Sequence, residues 1–227
     1  MRIENAEGVA SESENEVAIM NYIILTILFS LSSITSALAQ TSAIDEISKA
    51  SQAVGTVQAD FTQTKRLKML NDAMVSKGRM WCTQPNRLRW EYTTPYASLF
   101  ILNDDKVLFR NSKRSNTLNA NRHKRIREMI RIMIPSNLGK VLSEKKDFHT
   151  TAETTENQHI LTLIPQNKEL KQMFTRIVLY YDRKQAVVTQ IEMYEKNGDS
   201  TTIQLSSIKK NIVINPSVFT LNNDAKK

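Results

Sequence analysis

Apolar positions along the chain change their period as the sequence advances. From Ser42 to Val54, Ala43, Ile44, Ile47, Ala50 and Val54 recur at three- and four-residue spacing. Thr41 and Ser42 precede this run as N-cap candidates, Asp45 and Glu46 fall in its first turn, and Gly55 follows, so it predicts one amphipathic helix. From Val57 the pattern becomes short β-rich runs broken by turn residues. These are Val57–Leu67, Met74–Thr83, Arg87–Thr93, Ser98–Asn103 and Lys106–Arg110, then His159–Ile164, Thr175–Tyr181, Ala186–Tyr194 and Ser200–Ser206. Asn103-Asp104-Asp105-Lys106 and Asn197-Gly198 read as tight hairpin turns. Consecutive hairpin-linked strands predict an antiparallel sheet, and so many of them predict strong curvature or a barrel.

The β rhythm is interrupted once. Ala120 to Ile134 is helical in propensity and stops at Pro135. Ile126, Met129, Ile130 and Met133 fall on one face, Arg122, Lys124 and Arg125 lead in, and Arg127 and Arg131 lie toward the other side. Asn167 to Phe174 predicts one further helical turn, and Asn222 to Lys227 a frayed tail.

Ahead of the first helix, Tyr22 to Ile34 is uncharged and mostly apolar, followed by Ala37-x-Ala39 and Gln40. The run is shorter than the roughly 20 residues a spanning helix needs, and the small-residue pair matches an export cleavage site. We therefore expect residues 1–39 to be a leader cut after Ala39 and residues 40–227 to form a single domain. Met1 to Ala18 holds one Arg and five Glu, against the basic start such signals prefer, so Met20 is expected as the true start. Gln40, rather than Cys, follows the cut, which leaves no acceptor for a lipid anchor.

Composition narrows the functional classes. The 227 residues are 41% hydrophobic and 24% charged, which excludes a disordered chain or a polytopic membrane protein. A single cysteine, Cys82, excludes an intrachain disulfide framework and a thiolate zinc cluster. His123, His149 and His159 have no metal-ligand spacing, Asp104 and Asp105 sit in a turn, and Cys82 follows Trp81 in a predicted strand as a small hydrophobe. No nucleophile elbow, Gly-rich phosphate loop or HExxH helix occurs. No enzyme activity, metal or cofactor is expected. The formal charge is +8, and removing the acidic leader raises it to +12. With no aromatic set interleaved among the bases and an export signal in front, nucleic acid is not an expected partner. Lipid headgroups or acidic protein faces are.

The stretch from Gly78 to Pro95, GRMWCTQPNRLRWEYTTP, carries a resemblance. Preceded by Asp60-Phe61-Thr62-Gln63 and followed by Leu99-Phe100-Ile101-Leu102-Asn103-Asp104, it resembles the LolA-type outer-membrane lipoprotein carriers. Ile214 to Leu221 is similar to that family's closing strand. The resemblance spans roughly Ile44 to Leu221 and implies a mainly β protein with a helical lid (α+β), a half-open antiparallel β-barrel around a hydrophobic cavity. It implies a periplasmic chaperone, a monomer that shelters the acyl chains of lipoproteins between an inner-membrane lipoprotein-releasing transporter and an outer-membrane acceptor. A carrier of another lipid, or a non-catalytic lipid- or lipoprotein-binding sensor of the envelope, is the alternative.

On this resemblance, Phe61, Trp81, Leu88, Trp90, Tyr92, Leu99 and Ile101 are the expected acyl-chain wall. Leu88, Trp90 and Tyr92 share one strand face by alternation, as do Leu99 and Ile101. Ile126, Met129, Ile130 and Met133 are the expected underside of the lid, with plain core packing the competing account for every residue of both sets. The family places an Arg that latches the lid before the motif proline; here Gln84 precedes Pro85. An amide can reach a backbone carbonyl but lacks the five-donor fork of Arg.

Overall fold

The computed structural model describes residues 43–70, 72–134, 139, 141, 142 and 146–221. The expected leader, its cleavage site and the tail from residue 222 lie outside the described residues. Helix α1 spans residues 43–52. The strands are β1 (Thr56–Arg66), β2 (Ala73–Thr83), β3 (Arg87–Thr94), β4 (Ser98–Asn103), β5 (Lys106–Asn111), β6 (Ser115–Asn119), β7 (Phe148–Thr154), β8 (Gln158–Pro165), β9 (Phe174–Asp182), β10 (Val187–Glu195) and β11 (Ser200–Lys210). Helices α2 (Lys124–Met133) and α3 (Lys168–Met173) and short 3-10 turns at Ala120–Arg122 and Pro216–Phe219 also form, and residues 139, 141 and 142 are helical.

All 11 strands belong to one antiparallel sheet in the order β6-β5-β4-β3-β2-β1-β11-β10-β9-β8-β7. The first and last strands pair in its middle, with Phe61 opposite Leu205 and Gln63 opposite Ile203. β6 and β7 are its two edges, so the sheet curls without closing. This is the mainly β, half-open antiparallel architecture expected from the resemblance.

Alternation along each strand decides what lies inside the curve. Val57, Ala59 and Phe61 of β1, Met80 and Cys82 of β2, and Leu88 and Trp90 of β3 are buried in one cluster on the concave face. Ile47 of α1 packs with Leu161, Leu163, Ile177 and Leu179 in a second cluster under the other half of the sheet. On the convex face the segment after β11 lies across β3 and β4, where Phe219 fills a third cluster with Leu99, Ile101 and Leu108. Arg89 Nη1 donates to Val218 O at 3.2 Å and holds that strap down.

The predicted strands and both hairpin turns form, with ends shifted by a few residues. Asp104 (φ 56°) and Gly198 (φ 93°) supply the left-handed turn positions. The element predicted over Ala120–Ile134 is divided at His123 into a 3-10 turn and α2. Two strands were not predicted. β6 (SNTLN) is polar, and β7 (FHTTAET) buries only Phe148 and Thr150, so neither edge shows the period-2 apolar signal. Ile214–Leu221, expected as a closing strand, is instead an extended strap with a 3-10 turn over Pro216–Phe219. Pro216 removes a donor at the start of the turn, and Asn215 Oδ1 caps it by accepting from Ser217 N.

One close approach holds the concave face together. Gly78 pairs with Phe61 on one side and Tyr92 on the other. A Cβ there would lie 1.9 Å from Glu91 O and 2.6 Å from Phe61 Cζ. The missing side chain lets the Phe61 ring lie across β2, stacked on Trp90 at 4.2 Å and edge-on to Tyr92 at 5.2 Å. Gly78→Ala should therefore cost about 2–3 kcal/mol through overpacking, read as a lowered urea midpoint with an unchanged slope. An unaltered midpoint would contradict this packing.

Candidate functional site

The concave face encloses a cavity of about 580 Å³, within the range of natural small-molecule sites. Its wall draws on both halves of the sheet. Val57, Met80, Trp90 and Phe100 line one half, and Leu179, Val187, Ile191, Met193, Ile203 and Leu205 the other. Only the β1–β11 pairing makes these a continuous surface. Most polar lining residues gather at one end, where Gln63, Tyr92, Ser98, Asn111, Arg114 and Asn116 form a mouth, while Ser51 and Tyr181 lie toward the other. Tyr92 Oη donates to Gln63 Oε1 at 2.9 Å, and burial raises the Tyr92 phenol above its ordinary range.

Helix α2 roofs the cavity. Ile126, Met129, Ile130 and Met133 all line it, as the helical spacing predicts. Ile130 and Ile134 are buried in the cluster of β1–β3, while Ile132 packs on the cluster under β8 and β9, so the helix bridges both halves. Lys124 Nζ lies 3.4 Å from Glu169 Oε1 of α3, an exposed and weak tie.

Of the seven residues expected in the wall, Trp90, Tyr92 and Leu99 line the cavity. Phe61 is buried behind Trp90, and Leu88 is fully buried in the concave core away from the lining. Trp81 and Ile101 are placed on the opposite face. Trp81 neighbours Met80 and Cys82 in the strand, so the pleat turns it outward, where it packs near Phe219 with Arg89 5.8 Å above its ring. Ile101 pairs with Arg89 and Leu99 with Glu91, which puts both on the convex side; Leu99 reaches the cavity only at its border. Alternation alone groups Leu99 with Ile101 but does not say which face is inside; the register against β3 does.

Gln84 ties down α1, not the roof. Its Nε2 donates to Val54 O at 2.6 Å, and its backbone N to Gly55 O at 2.9 Å. Asn211 grips the same junction from the far end of β11: its Oδ1 accepts from Gly55 N at 2.8 Å and its Nδ2 donates to Ala53 O at 3.1 Å. Asn211 has no sequence signal beyond its type, which suits its left-handed φ of 54°. At the other end of α1, Glu46 accepts from Arg183 at 3.3 and 3.2 Å and lies 3.1 Å from His159 Nε2. His159 Nδ1 is 2.9 Å from Thr154 Oγ1, so this buried ring is a structural brace. Burial pushes the Cys82 thiol up to about 12, which makes it unreactive. Among the described residues, no group of three His, Cys, Asp or Glu is placed to hold a metal ion.

A family model described as outer membrane lipoprotein carrier protein LolA matches residues 52–222. The outer-membrane lipoprotein carrier protein of Legionella pneumophila (strain Lens) is 24% identical over 201 residues, covering 88% of this chain and 93% of its own. That of Methylococcus capsulatus (strain Bath) is 24% identical over 165 residues, 72% and 76% of the two chains. Among solved structures, an uncharacterized conserved protein from Thermus thermophilus superposes with a TM-score of 0.50 at 12% identity, over 82% of this chain and 95% of that one; it shares the fold.

Gln84→Ala leaves the buried Val54 carbonyl without that donor, an expected loss of about 1–2 kcal/mol. Hydrogen exchange should rise across residues 43–54 and not across β8–β10; unchanged exchange in α1 would contradict the clamp. Glu46 makes a separate prediction. Its carboxyl is held below the ordinary value of 4.5, first by the Arg183 hydrogen bonds, against partial burial, and then by His159. A depressed folded pKa adds stability above the unfolded value that is lost as pH falls through the folded one. Glu46→Gln should therefore flatten the acid limb of a stability-versus-pH curve below about pH 4.5, and an identical limb would sink this assignment.

Proposed function

This chain belongs to the LolA family of outer membrane lipoprotein carrier proteins, and from that premise we propose that it is a periplasmic chaperone carrying lipoproteins from the inner to the outer membrane with their acyl chains in the cavity under α2. The observation that carries this reading is a largely apolar cavity that has most of its polar lining residues at one mouth and is roofed by the amphipathic helix α2. Burying an acyl chain contributes about 0.8 kcal/mol per CH₂, so a chain of a dozen methylenes left in water forfeits roughly 10 kcal/mol. A carrier needs a dry wall, an entrance and a cover that moves. The wall, mouth and α2 match those needs, and the job requires no bond-making step, metal or cofactor.

In this reading residues 1–39 are the export leader and residues 40–227 the working carrier. Trp90, Tyr92 and Leu99 act in the wall and Ile126, Met129, Ile130 and Met133 in the lid. Phe61 and Leu88 support the wall from behind. Because Gln84 is committed to α1, lid closure does not run through this position as it would through an arginine latch. An inner-membrane releasing transporter loads the cavity and an outer-membrane acceptor empties it.

Met129 offers the cleanest test, since it is 37% exposed yet lines the cavity; Trp90→Glu would bury a carboxylate against Phe61 and threaten the fold. Met129→Glu should leave circular dichroism and thermal midpoint near wild type. It should weaken a dansyl-labelled fatty acid by about tenfold, since the chain would meet a charge where it now meets a thioether. Binding unchanged in the variant, or absent in wild type, would sink the reading.

A further inference from the structure

Residues far apart in sequence meet at the mouth end of the sheet. Gln63 of β1 pairs with Ser76, Lys77 with Thr94, Tyr92 with Ser98, and Ser98 with Asn111. The β1–β2 and β3–β4 connections therefore project from the same rim as the cavity mouth. Those two tips carry five of the molecule's exposed large hydrophobics: Met69 at 94%, Tyr96 at 82%, Leu70 and Met74 at 57%, and Val75 at 49%. Single exposed apolar residues are ordinary, but so many at adjoining tips mark an interaction site. The exposed charges on this rim include Arg66, Lys68, Lys77, Lys113, Arg114 and Lys196, against exposed Asp72 and half-buried Glu195 and Asp199. The base of the β1–β2 tip is anchored, because Lys68 N donates to Asp199 Oδ1 at 2.9 Å and Lys65 pairs with Glu195 at 3.1 Å.

We propose that this rim is a docking surface for an anionic lipid bilayer: Met69, Leu70, Met74, Val75 and Tyr96 enter the headgroup boundary, the basic residues meet lipid phosphates, and the cavity mouth is held open onto the membrane. The inference rests on the carrier reading for its purpose, though its geometry stands apart from it. Two features favour a bilayer over a protein partner. The charge exposed around the apolar tips is predominantly basic, and apolar anchors beside basic residues are the pairing of signals that holds peripheral proteins on anionic membranes. The mouth of an apolar cavity also lies on this rim, so an acyl chain passes from bilayer to cavity without crossing open water.

The test is co-sedimentation of the purified protein with vesicles of phosphatidylcholine alone or mixed with phosphatidylglycerol, alongside dansyl-fatty-acid binding in solution. Wild type should sediment with the anionic vesicles and fall away in high salt. Met69→Asp combined with Leu70→Asp should cut the partition coefficient at least tenfold while dansyl-acid binding stays at the wild-type value. Neutralising Arg66, Lys68 and Lys77 to Gln should remove the salt dependence. Wild type that ignores anionic vesicles, or a double variant that sediments as well as wild type, overturns the proposal. Loss of capture by an envelope protein with vesicle binding undiminished would overturn it too, assigning the tips to a protein. Vesicle binding without dansyl-acid binding would sink the carrier reading and leave this surface standing.

Discussion

The pairing of β1 with β11 is the contact on which the rest of the structure depends. It joins strands from opposite ends of the fold, Phe61 against Leu205 and Gln63 against Ile203, and turns two meanders of local hairpins into one curved sheet. Each meander alone has one apolar face and nothing to curl around. Joined, they give a trough whose edges, β6 and β7, are left apart. Sheet twist bends the trough but does not close it, so helices must cover what the strands cannot.

The two covering helices are held differently. α1 is fixed at both ends by directed polar contacts: Glu46 to Arg183 and His159 at one, Gln84 and Asn211 on the carbonyls and amide of Ala53–Gly55 at the other. α2 meets the cavity with apolar side chains, and an exposed Lys124–Glu169 pair ties it to α3. Dispersion and burial are non-directional, so the apolar underside of α2 can adapt to a cargo where it touches it. The wall beneath has the same character. Thioether, aliphatic and aromatic groups offer adaptable contact without selecting one chain shape, which suits a cargo defined by its greasiness.

Much of this was legible in the sequence. The strands with strong alternation, from β1 to β5 and from β8 to β11, announce themselves, and so does the apolar face of α2. The edge strands do not, because β6 and β7 have water on much of their surface and carry little apolar signal. The wall was half legible. Period-2 alternation groups Trp90 with Tyr92 and Leu99 with Ile101, but Trp81 and Ile101 turn outward because inside and outside are decided by register with neighbouring strands. Phe61 and Leu88 have the right face and the wrong depth, which no local pattern encodes. Asn211 and Arg183 reach partners at the opposite end of the chain, so those partners could not be read from spacing. Gln84 stands out in the sequence as a departure, and the structure directs its bond to the end of α1.

The claim at the centre of this account is that an acyl chain lies inside the trough beneath α2. A fatty acid bearing a terminal diazirine, bound and photolysed, tests it directly by marking whatever the chain end touches. Adducts are expected on concave residues such as Met193, Ile203 and Leu179 and on the underside of α2 at Met129 and Ile130. Adducts confined to the convex face around Trp81, Ile101 and Phe219, or to no defined position, would contradict it.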